Sequence, residues 1–365
     1  MRLLILLWLF AASSATALAQ SRQVVVSSDG TGNYRTIQAA LDAVPKGNRT
    51  PFTIFVRRGT YHEKLTLNKK QDFVKLLGEG SDPTAVVLTF DDFKGRLVNG
   101  DTLSTSNSAT LRVYATDFAA ENLTIQNTAG ASSQAVAAWI YGDRAQFKNC
   151  RFLGFRDTLY PYGYGSRQLY KNCYIEGSTD AILGSATALF EDCTVFCKPG
   201  GICLMAPSTP DTVRYGFVLQ RCRITGDAAA SAYFLARPWK PFAKTVLLNC
   251  VLDAVVNPRG WDHWGKESNK QDTFFAEFKS TGPGATPKLR APWGRQLTPN
   301  RPTSTPASGC CAAGSPSRPL TSHASRCPSQ LRNSLLFIIY PRPGGCFSSA
   351  ALSHFCVLCS LSALC

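Results

Sequence analysis

The sequence predicts an all-β protein built as a solenoid of stacked coils, and three observations support this fold class. Short apolar, β-branched stretches recur along the chain, helical periodicity is nearly absent, and a cruder repeat opens a new strand every 20 to 29 residues. In a solenoid with a repeat of this length, each coil buries its apolar positions against the neighbouring coils.

The predicted strands are the apolar stretches themselves. They are VVVS at 24, TIFV at 53, AVVLTF at 85, ATLRVYA at 109, LTIQN at 123 and TVLLNC at 245. One segment, TIQAALDAV at 36–44, instead places Ile37, Leu41 and Val44 on one helical face and is followed by Pro45. It predicts a short helix that caps the N-terminal end.

A polar residue followed by Leu or Cys marks the start of each repeat. The pairs are Asn122-Leu123, Asn149-Cys150, Asn172-Cys173, Asp192-Cys193, Arg221-Cys222 and Asn249-Cys250, at steps of 27, 23, 20, 29 and 28 residues. The cysteines are therefore expected to form an internal ladder of small apolar groups. No CxxC pair precedes residue 300, which disfavours metal ligation. Cys197 and Cys203, off the ladder, are the favoured pair if any disulfide forms.

Both ends of the chain differ from the repeat region. Residues 1–19 combine a charged start, a short apolar run and Ala-Leu-Ala before the predicted mature start near Gln20, which is typical of a signal peptide and indicates secretion. The predicted catalytic domain covers residues 20–300. Residues 301–365 are rich in Pro, Ser and Cys and contain no acidic residue, which favours disorder or a segment that is not native.

The chain is basic, with a formal net charge of +15 over 365 residues. Such a charge suits nucleic acid, anionic lipid or an acidic polysaccharide, and charge alone does not choose among them. The Lys and Arg residues are scattered and no zinc-finger or RNA-binding signature occurs, so nucleic acid is disfavoured.

Two aspartates occupy equivalent places in adjacent repeats. Aligning the repeats by their cysteines gives NCRFLGFRDT from 149 and NCYIEGSTDA from 172, so that Asp157 and Asp180 each follow their cysteine by seven residues. Coils stacked at the spacing of hydrogen-bonded strands, ~4.8 Å, would place the two side chains one above the other. Close carboxylates do not both ionise easily, a division that suits an acid and a nucleophile.

Position alone leaves open whether the aspartates are catalytic or only cap turns between coils. Other hydrolytic machinery is missing, because the sequence has no GxSxG, HExxH, P-loop or GxGxxG motif and only two histidines before residue 300. This absence favours carboxylate chemistry.

At the level of motifs, the chain resembles the pectin methylesterase family from about Ser28 to Gln296. The segments that carry the resemblance occur in the family's order and spacing, and those around SRQLYKNCYIEG and MAPSTPDTVRYGFV are closer to bacterial members. They are SDGTGNYRTIQAALDAVP, RRGTYHEK at 57, ENLTIQNTAG at 121, QAVA at 134, RDTLYP at 156, GSTDAILGSATALFEDC at 177, ARPWKPFAKTVLLNC at 236 and GWDHWG at 260.

The resemblance implies a single-stranded right-handed parallel β-helix and a set of site residues. It implies Asp180 as nucleophile, Asp157 as proton donor and later base, and Gln134 as an oxyanion donor, with Arg156 at the family's second oxyanion position. The implied substrate-binding residues are Arg237, which pairs with the nucleophile, Trp239, Tyr160 and Thr105. It implies no metal or other cofactor, and pectin as the partner of a protein expected to be a monomer without membrane attachment.

Departures from the family pattern predict altered or reduced activity. Most members have Gln where this chain has Arg156, whose charge favours ionised Asp157 and so weakens it as an acid. Two family phenylalanines are replaced by Ala181 and Leu183, which removes apolar walls that raise carboxyl pKa values, and Ala236 replaces a glycine. Additional sugar-stacking surface is expected from Phe155, Tyr160, Tyr162, Tyr164 and Trp261.

Three functions stay open from the sequence. The first is a secreted pectinesterase that releases methanol and pectate, active in the extracellular space, cell wall or periplasm. The second is an activity-impaired β-helix that binds acidic polysaccharide. The third is a polygalacturonase or pectate lyase on the same scaffold.

Overall fold

The computed structural model describes residues 22–230 and 232–298. The predicted signal peptide and C-terminal tail lie outside the described residues. Three parallel β-sheets run along the molecule, and in each complete coil the chain passes from the first sheet to the second and then to the third. This arrangement is the predicted parallel β-helix.

The first sheet, called sheet I, has eleven strands. They are Arg22–Val26, Phe52–Val56, Val74–Gly78, Ala119–Glu121, Ala145–Lys148, Arg167–Lys171, Thr187–Glu191, Phe217–Gln220, Lys244–Leu248, Phe274–Phe278 and Arg295–Gln296. Every pair of neighbours in it is parallel, as a solenoid requires.

Sheets II and III have eight and seven strands. Sheet II contains Gly59–His62, Val86–Phe90, Thr124–Asn127, Arg151–Leu153, Tyr174–Gly177, Thr194–Cys197, Arg223–Gly226 and Val251–Leu252. Sheet III contains Leu65–Leu67, Leu111–Val113, Ala138–Ile140, Leu159–Pro161, Ile182–Gly184, Cys203–Pro207 and Phe234–Ala236. A separate antiparallel hairpin, Leu97–Val98 with Asp101–Thr102, projects from the loop between sheets II and III of one coil.

Helices are short. The α-helices are Ile37–Asp42 and Asn269–Asp272, and the 3₁₀ helices are Ser106–Ser108 and Pro287–Leu289. None of the helices in the described ranges is both long and apolar enough to cross a bilayer.

The predicted N-terminal helix is present. Thr36 is its N-cap and accepts a hydrogen bond from the backbone N–H of Ala39, and Ile37 and Leu41 are fully buried. The Glu63 carboxylate accepts hydrogen bonds from the backbone N–H groups of Ile37 and Gln38, in the first turn, at 2.8 and 2.9 Å. The helix is therefore fixed to the first coils by both packing and hydrogen bonds.

The polar residue that opens each repeat lies at the corner between sheets I and II in the left-handed conformation. The φ angles of these six residues are between 50° and 59° in every coil (Asn122, Asn149, Asn172, Asp192, Arg221 and Asn249). Asn and Asp tolerate this conformation better than other non-glycine residues, which explains their recurrence. The Asn149 side-chain amide also donates to Asn122 Oδ1 at 2.8 Å, so the corners are hydrogen-bonded between coils.

The next residue of each pair points into the core, as predicted. Cys150, Cys173, Cys193, Cys222 and Cys250 are at most 2% exposed. Beside them Phe147 and Tyr170 stack at 5.1 Å between ring centroids, and Tyr170 and Phe190 stack at 4.7 Å.

Cys197 and Cys203, the pair favoured if any disulfide formed, are not bonded to each other in this structure. All seven cysteines of the described ranges are free thiols. Cys197 ends a strand of sheet II, Cys203 begins a strand of sheet III, and each is buried as a small apolar group. Burial raises the pKa of the Cys197 thiol to about 12.

Candidate active site

Asp157 and Asp180 lie one rung apart at the corner that leads into sheet III. Leu159 and Ile182, two residues after them, are direct partners in parallel strands, so the aspartates occupy equivalent positions. Both are left-handed, with φ of 68° and 53°. The N–H of Asp157 donates to Thr179 O at 3.2 Å, and that of Asp180 donates to Cys203 O at 2.8 Å. The stacking inferred from the repeat is therefore present.

Arg237 holds the Asp180 carboxylate in a two-point ion pair. Its Nε donates to Oδ1 at 2.9 Å and its Nη2 donates to Oδ2 at 2.6 Å. The side chains are only 12% and 7% exposed, so the pair is shielded from water. The other face of the guanidinium packs on the Trp264 ring at 3.9 Å. These contacts fix the orientation of the carboxylate.

Asp157 is in a different environment, although it is just as buried. Gln134 Nε2 donates to its Oδ2 at 2.6 Å, and Asp157 is 1% exposed. Burial raises the pKa of Asp157 to about 7, and the charge of Asp180 adds to the effect. Arg156, the Gln134 hydrogen bond and Lys94 oppose it. Asp157 therefore keeps its proton up to about pH 7.

Arg156 acts on the pKa of Asp157 in the expected direction, but its effect is smaller than the opposing effect of burial. Arg156 lowers the pKa of Asp157, but its side chain is exposed to solvent, and burial outweighs it. Ala181 and Leu183 replace two family phenylalanines, and their loss was expected to remove apolar walls. The two side chains are 0% and 4% exposed and still contribute apolar surroundings. The pKa of Asp157 therefore stays raised without those two rings.

Gln134 is positioned from both sides. It forms a bridge with Arg156 in the next coil, and its Oε1 accepts a hydrogen bond from Lys94 Nζ at 2.8 Å. The backbone N–H of Lys94 also donates to Gln134 O at 2.9 Å. An amide with Oε1 occupied directs its two N–H donors toward Asp157 and the space beside it.

Lys94 and Trp264 were missed by sequence reasoning. Lys94 lies in an irregular loop outside the repeat, 40 residues before Gln134, so no spacing signals the contact. Trp264 lies within the GWDHWG motif that supports the resemblance, and that motif could have indicated it.

The predicted sugar-binding residues are only partly brought to the site. Trp239 is 37% exposed and its ring lies 6.0 Å from that of Tyr160, which is 7% exposed. Thr105 is the N-cap of the 3₁₀ helix, in the loop that precedes the next strand of sheet III. Trp261 does not offer a stacking surface, because it is 1% exposed and packs on Phe275 in the core.

The other predicted stacking residues remain accessible. Tyr164 is 73% exposed, Tyr162 is half-buried beside it, and Phe155 is half-buried with Lys198 Nζ 3.6 Å from its ring centroid. Ala236 is fully buried in its strand. Within residues 22–230 and 232–298, no group of His, Cys, Asp and Glu side chains is arranged to hold a metal ion.

Two stacked aspartates, one with a raised pKa and one paired with an arginine, define the site of an enzyme that uses two carboxylates in different roles, and the exposed aromatic rings nearby suit a sugar ligand. The comparisons give the family. The family model described as Pectinesterase matches residues 23–304. Pectinesterase 31 of Arabidopsis thaliana is 37% identical over 286 residues, covering 77% of this chain and 89% of that protein.

Solved structures agree. Pectin methylesterase from carrot has a TM-score of 0.70 at 31% identity, covering 75% of this chain and 88% of that one. A pectin methylesterase solved in complex with a hexasaccharide has a TM-score of 0.67 at 32% identity, covering 77% and 94%. The chain belongs to the pectinesterase family, and the predicted family, fold class and enzyme class, a carboxylic ester hydrolase, are confirmed.

Some curated relatives are longer than the matched region. The chain spans 50% of Probable pectinesterase/pectinesterase inhibitor 23 of Arabidopsis thaliana, at 35% identity. The closer match to bacterial members stays a prediction.

Proposed function

We propose that this protein hydrolyses the methyl esters of polygalacturonate, with Asp180 as the nucleophile and Asp157 as the acid and base. The observation that carries the proposal is the contrast between the two stacked aspartates. Asp180 is paired with Arg237 at two points, whereas burial raises the pKa of Asp157 to about 7. One carboxylate is thus ready to attack and the other is ready to donate a proton.

In the first step, an Asp180 oxygen attacks the ester carbonyl carbon and the carbonyl oxygen gains negative charge. The N–H of Gln134 that is not bonded to Asp157 can stabilise this oxygen, and the exposed guanidinium of Arg156 can add a second donor. The bond to the methoxy group then breaks, and the proton of Asp157 goes to that oxygen, so methanol leaves.

In the second step, water attacks the acyl-enzyme carbonyl. Asp157, now a carboxylate, accepts a proton from this water, and the bond to Asp180 breaks to restore its carboxylate. The products are one galacturonate carboxyl group and one methanol, and both aspartates return to their starting states. Arg237 keeps Asp180 oriented as attacking and leaving group.

Substrate binding is proposed along the exposed aromatic surface, with Trp239 and Tyr160 beside the reacting unit and Thr105 at the loop edge. The hexasaccharide bound by a relative supports an oligosaccharide ligand. We propose further that the protein is secreted and acts as a monomer. A mature N-terminus near Gln20 in the secreted protein would support the first point.

Methanol release from methylated pectin tests the proposal. We expect release by the native chain and a loss of about 10³-fold or more in Asp180→Asn. An intact circular dichroism spectrum of the variant serves as control. Binding without methanol release by the native chain would instead indicate a polysaccharide-binding protein, and shortened polymer chains would indicate a depolymerase.

A further inference from the structure

One buried polar residue, Asn127, is not used in the proposed reaction. It ends the sheet II strand Thr124–Asn127, within the ENLTIQNTAG segment, and only 3% of its surface is exposed. Asn is depleted in strands, and burying an amide costs free energy unless its donors and its acceptor are hydrogen-bonded. The partners of the amide therefore indicate why this position holds Asn.

The side-chain amide of Asn127 joins three separate segments of the chain. Its Nδ2 donates to Asp92 O at 2.8 Å, to Val136 O at 3.1 Å and to Ser108 O at 3.2 Å. Its Oδ1 accepts a hydrogen bond from the backbone N–H of Ala129 at 3.0 Å. The two N–H groups of the amide are thus shared among three carbonyls, and both of its ends are bonded.

Two of these carbonyls belong to the segments that hold the Gln134 side chain in place. Asp92 is two residues before Lys94, and Val136 is two residues after Gln134. The backbone N–H of Lys94 donates to Gln134 O at 2.9 Å, and its Nζ donates to Gln134 Oε1 at 2.8 Å. Asn127 therefore holds both partners of the contact that orients the Gln134 amide.

The loop that carries Lys94 is anchored at Asp92 from two sides. The Asp92 carboxylate is buried and accepts hydrogen bonds from Lys64 and from Arg96 Nη1, the latter at 2.9 Å. The Asp92 carbonyl is bonded to Asn127. Because this loop is irregular, each anchor reduces the number of conformations that Lys94 can adopt.

The third carbonyl connects the Gln134 segment to the loop of Thr105. Ser108 is fully buried, and its Oγ donates to Thr105 O at 2.6 Å and accepts from the N–H of Val136 at 3.2 Å. The bond from Asn127 to Ser108 O completes this connection. One amide thus ties together the two loops and the segment that surround the oxyanion donor.

We infer that Asn127 is a positioning residue, which places the oxyanion donor Gln134 through the carbonyls of Asp92 and Val136. The inference rests on the proposed function, in which the Gln134 amide stabilises the charge that develops on the ester oxygen. Such a donor acts only at about 2.7–3.1 Å from that oxygen. A small displacement of Gln134 should therefore slow the chemical step and change substrate affinity little.

The first test is a double-mutant cycle on methanol release from methylated pectin. We expect Asn127→Ala to lower kcat about tenfold with KM little changed. If Asn127 acts through Gln134, Asn127→Ala/Gln134→Ala should be no slower than Gln134→Ala alone. A further tenfold fall in the double variant would overturn the inference, and so would a rise in KM with kcat unchanged.

Gln71→Ala is the matched control for lost stability. Gln71 is also a buried amide, 4% exposed, and its Nε2 donates to the carbonyls of Leu41 and Val44 at 2.9 and 3.0 Å. Both variants should unfold at a lower temperature, and only Asn127→Ala should lower kcat. An equal fall in kcat in both would contradict the inference. If Asn127→Ala does not fold, Asn127→Ser, whose hydroxyl keeps one donor, takes its place and the same outcomes decide.

The second test needs no turnover. The Gln134 hydrogen bond and the Lys94 charge both lower the pKa of Asp157, so displacing them should raise this pKa in Asn127→Ala and leave it unchanged in Gln71→Ala. A carbon-13 NMR titration of the Asp157 carboxyl in the full chain measures it, and an unchanged pKa in Asn127→Ala would count against the inference. If the native chain releases no methanol, the proposed function fails, and the titration still decides whether Asn127 positions Gln134.

Discussion

At the scale of residues, Asp157 and Asp180 show how equivalent positions acquire different chemistry. Both follow a ladder cysteine by seven residues and both are buried, but only Asp180 contacts a guanidinium at two points. Asp157 has an amide donor instead, which compensates a negative charge far less than a cation does. The repeat sets the positions, and Arg237, from a coil further along the chain, sets the difference.

The pH dependence of catalysis should report Asp157. Because Asp157 must be protonated to release methanol, kcat/KM should fall as pH rises through about 7. Methanol release measured from pH 5 to 9 checks this. A kcat/KM that stays constant up to pH 9 would contradict protonated Asp157 as the acid.

Asp157 should also make stability depend on pH. Its pKa is raised from 3.8 to about 7, so its contribution to stability is complete below pH 4 and is lost as pH rises through 7. Asp157→Asn removes the charge and should raise the free energy of unfolding at pH 8, by an amount on the order of 1–4 kcal/mol. Urea unfolding at pH 8 and pH 4 measures the difference. An equal gain in the free energy of unfolding at both pH values would show that it does not come from the charge of Asp157.

At the scale of elements, the loop before the Leu97–Val98 hairpin controls Gln134. Lys94 bonds to the backbone and side chain of Gln134, and it lowers the pKa of Asp157. The loop therefore orients the amide that contacts Asp157 without belonging to the repeat.

Lys94→Met should remove the hydrogen bond that holds the Gln134 amide and remove a positive charge near Asp157. We expect kcat to fall about tenfold with KM little changed, because a mispositioned donor acts mainly on the transition state. The high-pH decline of kcat/KM should also move to higher pH, because Lys94 no longer lowers the pKa of Asp157. Lys94→Arg keeps the charge and should recover the pH profile; a fall in kcat with no pH shift would indicate a purely structural effect.

The corner between sheets I and II is a second element, and its left-handed backbone should make stability sensitive to the residue placed there. Asn249 is left-handed with φ of 54°, and Ala in that conformation is less favourable by roughly 1–2 kcal/mol. Asn249→Ala should therefore lower the free energy of unfolding by about 1 kcal/mol, while Asn249→Gly stays close to the native value. Thermal unfolding of both variants provides the comparison. Equal losses in the two would show that the side chain matters more than the backbone.

At the scale of the whole molecule, the features that repeat were predictable and those that do not repeat were not. Strand positions and the stacking of Asp157 over Asp180 follow from periodic burial, which local sequence encodes. The contact of Lys94 with Gln134 depends on a loop outside the repeat, where spacing carries no information. Trp261 was misassigned because an aromatic residue has the same appearance in sequence whether it binds sugar or fills the core.

The C-terminal end of the described solenoid is closed by one buried ion pair. Arg290 donates through Nε to Glu277 Oε1 at 2.6 Å and through Nη2 to Oε2 at 3.2 Å, with both side chains 3% exposed. Arg290 also donates to the carbonyls of Pro258 and Gly284, at 2.9 Å each. The pair thus connects the last strands to the loops that lie across the end of the core.

Removing one partner of the Arg290–Glu277 ion pair should destabilise the C-terminal end of the solenoid without changing catalysis. Glu277→Gln leaves a buried cation uncompensated, so we expect a loss of about 3–5 kcal/mol in the free energy of unfolding. Glu277 lies several coils from Asp180 along the solenoid, so kcat/KM at 25 °C should stay near the native value. Arg290→Met/Glu277→Leu, which removes both charges, should recover part of the lost stability. Thermal unfolding and methanol release measured on the same samples decide the point, and a parallel loss of activity would mean that the end of the solenoid and the active site unfold together.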